Sequence, residues 1–350
     1  TTLPKDTVVI EGNSGTFKVG IATAGNPNSY TYQWQWSADG KTWNNCSDGT
    51  TGTFNGMSGT KTSVITLGTA GSKIQRTWNQ YKVRCIVSNA GGSVTSRAAT
   101  LTVHHLPTLD SAYPKDTTVV IGNKGSFEVK ITVAGNPASY TYQWYQNGTA
   151  VTGATASTYT TVATTKAMNG NTYYCKVSNA AGTVTSRTAK LTVYFPPVLD
   201  ATYPQNITMV IGNSASFKVV IATAGNPASY TYQWYKATSS TGTGTAISGA
   251  TGASYTISKT VKEDNETFYY CIVKNAGGSV TSRYAKLTVE YPPVLSGSYP
   301  SDTTVIIGER AAFEVVIATA GNPDSYTYQW FKAGSETDAG VAIGDATSNG

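Results

Sequence analysis

The chain has 350 residues, with 25 Lys and Arg against 19 Asp and Glu, and a formal charge of +6 spread without clusters. Charged residues make up only 13% and glycines number 35, which excludes a disordered polyelectrolyte and a coiled coil. Unclustered positive charge speaks for solubility and weak attraction to anionic surfaces rather than nucleic-acid binding.

No apolar run is long enough to span a bilayer, and the N-terminus shows no signal-peptide pattern. The chain is therefore expected to be an excised or mature piece of an exported protein.

In chain order, a turn at Gly12-Asn13 precedes an alternating strand whose Phe17, Val19 and Ile21 share one face. The turn Ala24-Gly25-Asn26-Pro27 follows, then the stretch Ser29-Tyr30-Thr31-Tyr32-Gln33-Trp34. Tyr30, Tyr32 and Trp34 are two apart, so an extended chain puts them on one buried face. The stretch recurs from Ser139, Ser229 and Ser325, each time behind the same turn. Its Trp residues, Trp34, Trp144, Trp234 and Trp330, are spaced by 110, 90 and 96 residues. One small β domain per Trp is the natural reading, each packed around its indole. The expected domains are 1–105, 106–195, 196–291 and a partial one at 292–350 that lacks the last two strands.

Downstream of Trp34, Trp144 and Trp234 lies a strand around Cys85, Cys175 or Cys271, a turn at Asn-Ala-Gly or Asn-Ala-Ala-Gly, and a closing strand ending Leu-Thr-Val. Tyr173-Tyr174-Cys175-Lys176-Val177-Ser178-Asn179, with Trp144 upstream, resembles the F strand of an immunoglobulin domain of the I-set kind, and Tyr269-Tyr270-Cys271 with Trp234 repeats the resemblance. Trp34-Gln35-Trp36-Ser37-Ala38-Asp39-Gly40 resembles the variant found in bacterial surface proteins. The resemblance implies tandem all-β sandwiches, three complete and one truncated, set end to end as an extended rod. It also implies that Tyr173 and Tyr269 form the tyrosine corner and that each Trp lies on strand C.

Val19, Val129, Val219 and Val315 stand where the family has its first cysteine. The inter-sheet disulfide is thus expected to be absent, leaving Cys85, Cys175 and Cys271 as buried thiols beside the Trp. Cys46 is the one extra cysteine; a free or solvent-facing thiol is expected there, with pairing to Cys85 as the alternative. Trp to Cys spans 51, 31 and 37 residues in the three complete units, so the first is enlarged between strands C and F. The connections His104-His105-Leu106-Pro107-Thr108-Leu109, Val193-Tyr194-Phe195-Pro196-Pro197-Val198-Leu199 and Val289-Glu290-Tyr291-Pro292-Pro293-Val294-Leu295 are short, and the paired prolines of the last two favour stiff joints. The fourth unit reaches no F strand before Gly350, so the natural protein is expected to continue.

Catalytic chemistry finds little footing. His104 and His105 adjoin in a linker, where a metal site with Asp110 is conceivable but neighbouring side chains of an extended chain diverge. Phosphate loops, zinc-protease and serine-hydrolase motifs are missing, and no carboxylate pair recurs. The expectation is a non-enzyme without cofactor or metal.

Contact residues are easier to nominate. Trp36 and Trp43 flank the Asp39-Gly40 hairpin signal and are expected to face each other, either as a platform for a sugar ring or partner loop, or as cover for the enlarged flank. Tyr145 and Tyr235, with Phe331, point outward just after the core Trp, as a multivalent patch or as cross-strand stabilisers. Arg97, Arg187 and Arg283 recur before the last strand, and Asp6, Asp110, Asp116, Asp200 and Asp302 flank the junctions as weaker anion and Ca²⁺ candidates.

The resulting expectation is a stalk and adhesion segment of a bacterial cell-surface or extracellular protein, meeting a cell-surface glycan or protein and no nucleic acid. A bacteriophage virion decoration or fibre protein, and an accessory module of a larger secreted enzyme, are the alternatives.

Overall fold

A computed structural model describes residues 3–49, 54, 56–69 and 71–349. The chain is almost entirely β and forms tandem immunoglobulin-like sandwiches. The described residues contain no helix long and apolar enough to cross a membrane. Two compact units result, Thr1–Val193 and Tyr194–Gly350.

Each complete repeat has one large sheet. In the first, the order is Thr7–Ile10, Ala99–His104, Lys82–Asn89, Thr31–Ser37 and Asn44–Asn45, with Gly92–Thr95 also on Lys82–Asn89. Thr7–Ile10 runs parallel to Ala99–His104, while Thr31–Ser37 and Lys82–Asn89 are antiparallel. The facing sheet is Gly15–Lys18, Val64–Leu67 and Met57–Ser58. The second and third repeats keep this order, with Ser126–Glu128 on Thr158–Thr160 and Ala215–Lys218 on Ser254–Ile257 as their second sheets.

The core follows from strand alternation. Trp34, Trp144 and Trp234 are each fully buried and sit in register with Cys85, Cys175 and Cys271. An indole N–H buried without a partner would be costly. Each donates to a carbonyl of the facing layer: Thr62 at 2.9 Å, Ala156 at 2.9 Å and Gly252 at 3.0 Å. The first tyrosine of the repeated stretch holds the preceding turn, its hydroxyl accepting from the backbone N–H of Gly135 or Gly225 at 2.8 and 2.9 Å.

Three expectations change. Cys46 is buried at 1% exposure rather than facing solvent, because its backbone N–H bonds to Trp34 O (2.8 Å) and its side chain turns into the core where Val151 and Ile247 sit in later repeats. All four cysteines are free. Cys46 and Cys85 lie on opposite sides of strand Thr31–Ser37, two strand spacings of about 4.8 Å each and beyond the ~7 Å limit for a bridge.

The tyrosine corner is not formed in the second repeat: the Tyr173 hydroxyl is buried with no hydrogen-bond partner, and its ring stacks on Phe127 at 4.5 Å. Trp330, expected in a core, is only half-buried. Ile317–Thr319, Phe331–Lys332 and Val341–Ala342 are the strands of the fourth repeat beyond its linker, and none corresponds to the cysteine strand that covers the other indoles.

Candidate ligand-contact surface

The outer face of each large sheet carries the residues just after the core Trp. In the first repeat Gln35 pairs across the sheet with Arg84, whose Nε donates to Gln35 Oε1 at 2.9 Å. The Arg84 guanidinium then lies 3.9 Å over the Trp43 ring, a cation–π contact at the sheet surface. Gln35 Nε2 donates to Asn45 Oδ1 at 2.9 Å and completes the patch.

The same positions in the second repeat hold Tyr145 and Tyr174, stacked at 4.9 Å with an interplanar angle of 2°. Lys176 Nζ stands 4.9 Å from the Tyr145 ring. In the third, Tyr235 stacks on Tyr270 at 5.0 Å, and Tyr270 meets Tyr284 at 4.5 Å. The half-buried Tyr145 and Tyr174 pair leaves a π-face to the outside, where a sugar ring or a partner's apolar side chain can lie. Tyr270 is instead buried under Gly244, whose N–H donates to its hydroxyl at 3.1 Å, so in the third repeat only Tyr235 and Tyr284 reach the surface.

Trp36 and Trp43 do not face each other. Trp36 is two residues after buried Trp34 and so shares its inward side; it stacks on Tyr81 at 5.4 Å and meets Phe54 at 5.3 Å. Phe54 in turn packs edge-on against buried Trp78 at 4.6 Å. The enlarged loop of the first repeat is thus built on an aromatic extension of the core, and Trp36 belongs to it. Trp43 sits over Arg84, on the opposite face.

Of the remaining nominees, Arg97, Arg187, Arg283, Asp6, Asp110, Asp116 and Asp200 have structural partners. Arg97 donates to Pro4 O at 2.9 Å, and Arg187 pairs with Asp116 at 3.2 Å and reaches Pro114 O. Asp6 and Asp116 also accept the backbone N–H of Thr100 and Lys190, which fastens the parallel strand. Asp110 and Asp200 accept backbone N–H groups of their own turns. His105 Nδ1 lies 3.2 Å from Leu106 O, and no group of three His, Cys, Asp or Glu among the described residues could hold a metal ion. Burial pushes the Cys46 thiol up to about 12 and the Cys85, Cys175 and Cys271 thiols up to about 11, so all four are poor nucleophiles.

Sequence reasoning missed Arg84, Tyr174, Tyr270 and Tyr284 as parts of this surface. Their signal was present, since each neighbours a core position of a strand and must therefore point outward. It also missed Asn136, whose Nδ2 donates to Val103 O at 2.7 Å and lies 3.3 Å from Asn79 Oδ1, locking the first joint.

A sequence profile described as "Immunoglobulin domain" matches residues 107–193. Kin of IRRE-like protein 3 of Homo sapiens is 27% identical over 263 residues, 72% of this chain and 30% of that protein. The chain therefore spans under a third of that relative's length, and the animal match lends no support to a bacterial source. Endoglucanase C of Cellulomonas fimi is 37% identical over 67 residues, 19% of this chain and 6% of that protein. An I-band fragment of titin superposes with a TM-score of 0.53 at 21% identity, covering 83% of this chain and 98% of the fragment. That likeness is one of fold.

Proposed function

We propose that this chain is a non-catalytic adhesion segment of a cell-surface or extracellular protein, presenting the outer sheet faces of successive sandwiches to a protein or glycan. One observation carries the reading: at equivalent cross-strand places Tyr145 stacks on Tyr174 and Tyr235 on Tyr270, and in the first repeat, where Gln35 and Arg84 hold those places, Trp43 from the following turn supplies the flat group under Arg84. Repetition of one modest contact raises avidity without any deep pocket. Trp36, turned inward, supports this surface rather than belonging to it.

The test is the triple variant Trp43→Ala, Tyr145→Ala, Tyr235→Ala, assayed by cell binding and on a glycan array. Binding should fall at least about tenfold while each lost stack costs about 0.5–1 kcal/mol of stability. Undiminished binding by the folded variant would remove this face from the proposal.

The stretch shared with Endoglucanase C favours a second reading, an accessory module of a larger secreted enzyme. Co-sedimentation with insoluble β-glucan, absent in the triple variant, is the outcome that reading requires.

A further inference from the structure

Cations that lie scattered along the sequence gather on the outer sheet faces of the first two repeats. Residues 1–193 hold 16 Lys and Arg against 7 Asp and Glu. In the first repeat Lys82 and Arg84 alternate with buried Val83 and Cys85, so both point outward from the sheet. A Cβ on Gly40 would come 3.0 Å from Lys82 Nζ, which places that ammonium at the hairpin carrying Lys41 and Trp43. Lys61 Nζ donates to Gln33 Oε1, two residues from Gln35 on the same strand. Lys41, Lys61 and Lys82 are exposed, and Arg84 is half-buried.

The four carboxylates of the first repeat are committed elsewhere. Glu11 pairs with Arg76 at 3.0 Å, and Asp6 and Asp48 accept the N–H groups of Thr100 and Thr60, each at 2.9 Å. Asp39, in the hairpin itself, accepts the N–H groups of Lys41 and Thr42 at 2.8 and 2.7 Å. Of the five N–H groups of Arg84, Nε is held by Gln35, which leaves the Nη groups for a ligand. The second repeat does the same with other residues. Lys176 stands beside the Tyr145 ring and Lys190 lies across from Thr172, while Glu128 is held by Lys130 and Asp116 by Arg187. The third is weaker in charge: Ile272 takes the place of Lys176, Lys286 at the place of Lys190 is paired with Glu266, and Lys274 remains.

We propose that the outer sheet faces of the first two repeats bind an acidic polysaccharide. Its carboxylate or sulfate groups meet Lys82, Arg84, Lys176 and Lys190 while a sugar ring lies against a flat side chain. The inference rests on the adhesion reading and narrows its ligand to one class. A guanidinium with free Nη groups takes an oxyanion through paired hydrogen bonds, and lysine adds a point charge. A single-stranded nucleic acid fits less well, because successive bases need successive free rings, and here the rings stack on each other or on Arg84.

The probes are heparin for sulfate, hyaluronan for carboxylate, dextran as a neutral polymer and an oligothymidylate, each titrated against the full chain by surface plasmon resonance. Saturable binding of at least one acidic glycan is expected, falling at least about tenfold between about 0.05 and about 0.3 M NaCl, with none to dextran. Lys82→Gln with Arg84→Gln should weaken it at least about tenfold, and Lys176→Gln with Lys190→Gln by a similar factor. Lys41→Gln with Lys82→Gln repeats the test on two exposed side chains without disturbing the contact of Arg84 with Trp43, and should cost at least about threefold. Lys5→Gln with Lys18→Gln removes equal charge elsewhere in the first repeat and should leave affinity within about twofold. The proposal is overturned if neither acidic glycan binds saturably, if oligothymidylate binds more tightly than both, or if Lys5→Gln with Lys18→Gln costs as much as the face variants. Cell binding that persists through those failures and still falls in the Trp43, Tyr145 and Tyr235 triple variant would leave the adhesion reading standing without this ligand.

Discussion

The first and third repeats fill the same two positions with opposite chemistry. One position lies two residues after the core Trp and the other ends the 3₁₀ turn before the cysteine strand. In the first repeat these are Trp36 and Trp78, bridged by Phe54. In the third they are Lys236 and Asp264, an ion pair at 2.8 Å. Asp264 also accepts the N–H of Val261 at 3.1 Å and so caps its own turn. The sandwich therefore needs something laid across this flank, and apolar bulk or a paired charge serves equally. An enlarged loop that brings Phe54 accompanies the apolar solution, because exposed Trp surface has to be covered.

This contrast can be broken at either end. Trp78→Ala should cost about 3–5 kcal/mol, with little salt dependence, since a buried aromatic is lost and a cavity left. Met168→Ala, at the equivalent and more open place of the second repeat, should cost clearly less; urea unfolding followed by pulse proteolysis would rank them. An equal cost would mean that the flank is not what Trp78 holds.

Lys236→Met should cost about 1–3 kcal/mol by stranding Asp264, an estimate reduced because the lysine end is 40% exposed. Burial disfavours the Lys236 ammonium, but the hydrogen bond and charge of Asp264 outweigh it and raise its pKa above 10.5. A raised folded pKa means that the pair's contribution is fully present below about pH 10.5 and is lost as pH rises through the higher folded value. The third repeat should therefore lose stability in alkali, and Lys236→Met should abolish that part of the loss.

The smallest effect is predicted for Tyr173→Phe. Removing a buried hydroxyl that has no partner should be neutral or stabilising by up to about 1 kcal/mol. A loss of more than that in the melting curve would show that the hydroxyl does find a partner.

Much of this was legible in the residues. The period-2 spacing of Tyr30, Tyr32 and Trp34 could belong only to a half-buried strand, and the matching Trp-to-Cys pattern placed Cys85, Cys175 and Cys271 beside the indoles. The side of the sheet taken by Trp43 was not legible, because it depends on the turn that returns the chain to Asn44–Asn45. Cys46 was misplaced for the same reason, since a two-residue strand carries no periodicity to read. The outer-face pairs of Arg84, Tyr174 and Tyr270 needed the register between distant strands. The tyrosine-corner expectation failed in the second repeat because spacing to the cysteine fixes where the Tyr173 ring goes but not what its hydroxyl meets.

The central claim is that each of the three complete repeats is a separate sandwich closed around its own indole, which is what lets the molecule work by repeated surface contact. Hydrogen–deuterium exchange of the full chain carrying Trp144→Ala tests it most directly. Strands Thr141–Gln146 and Thr172–Asn179 should lose protection while Thr31–Ser37 and Thr231–Ala237 keep theirs. Loss of protection across all four strands together would contradict it.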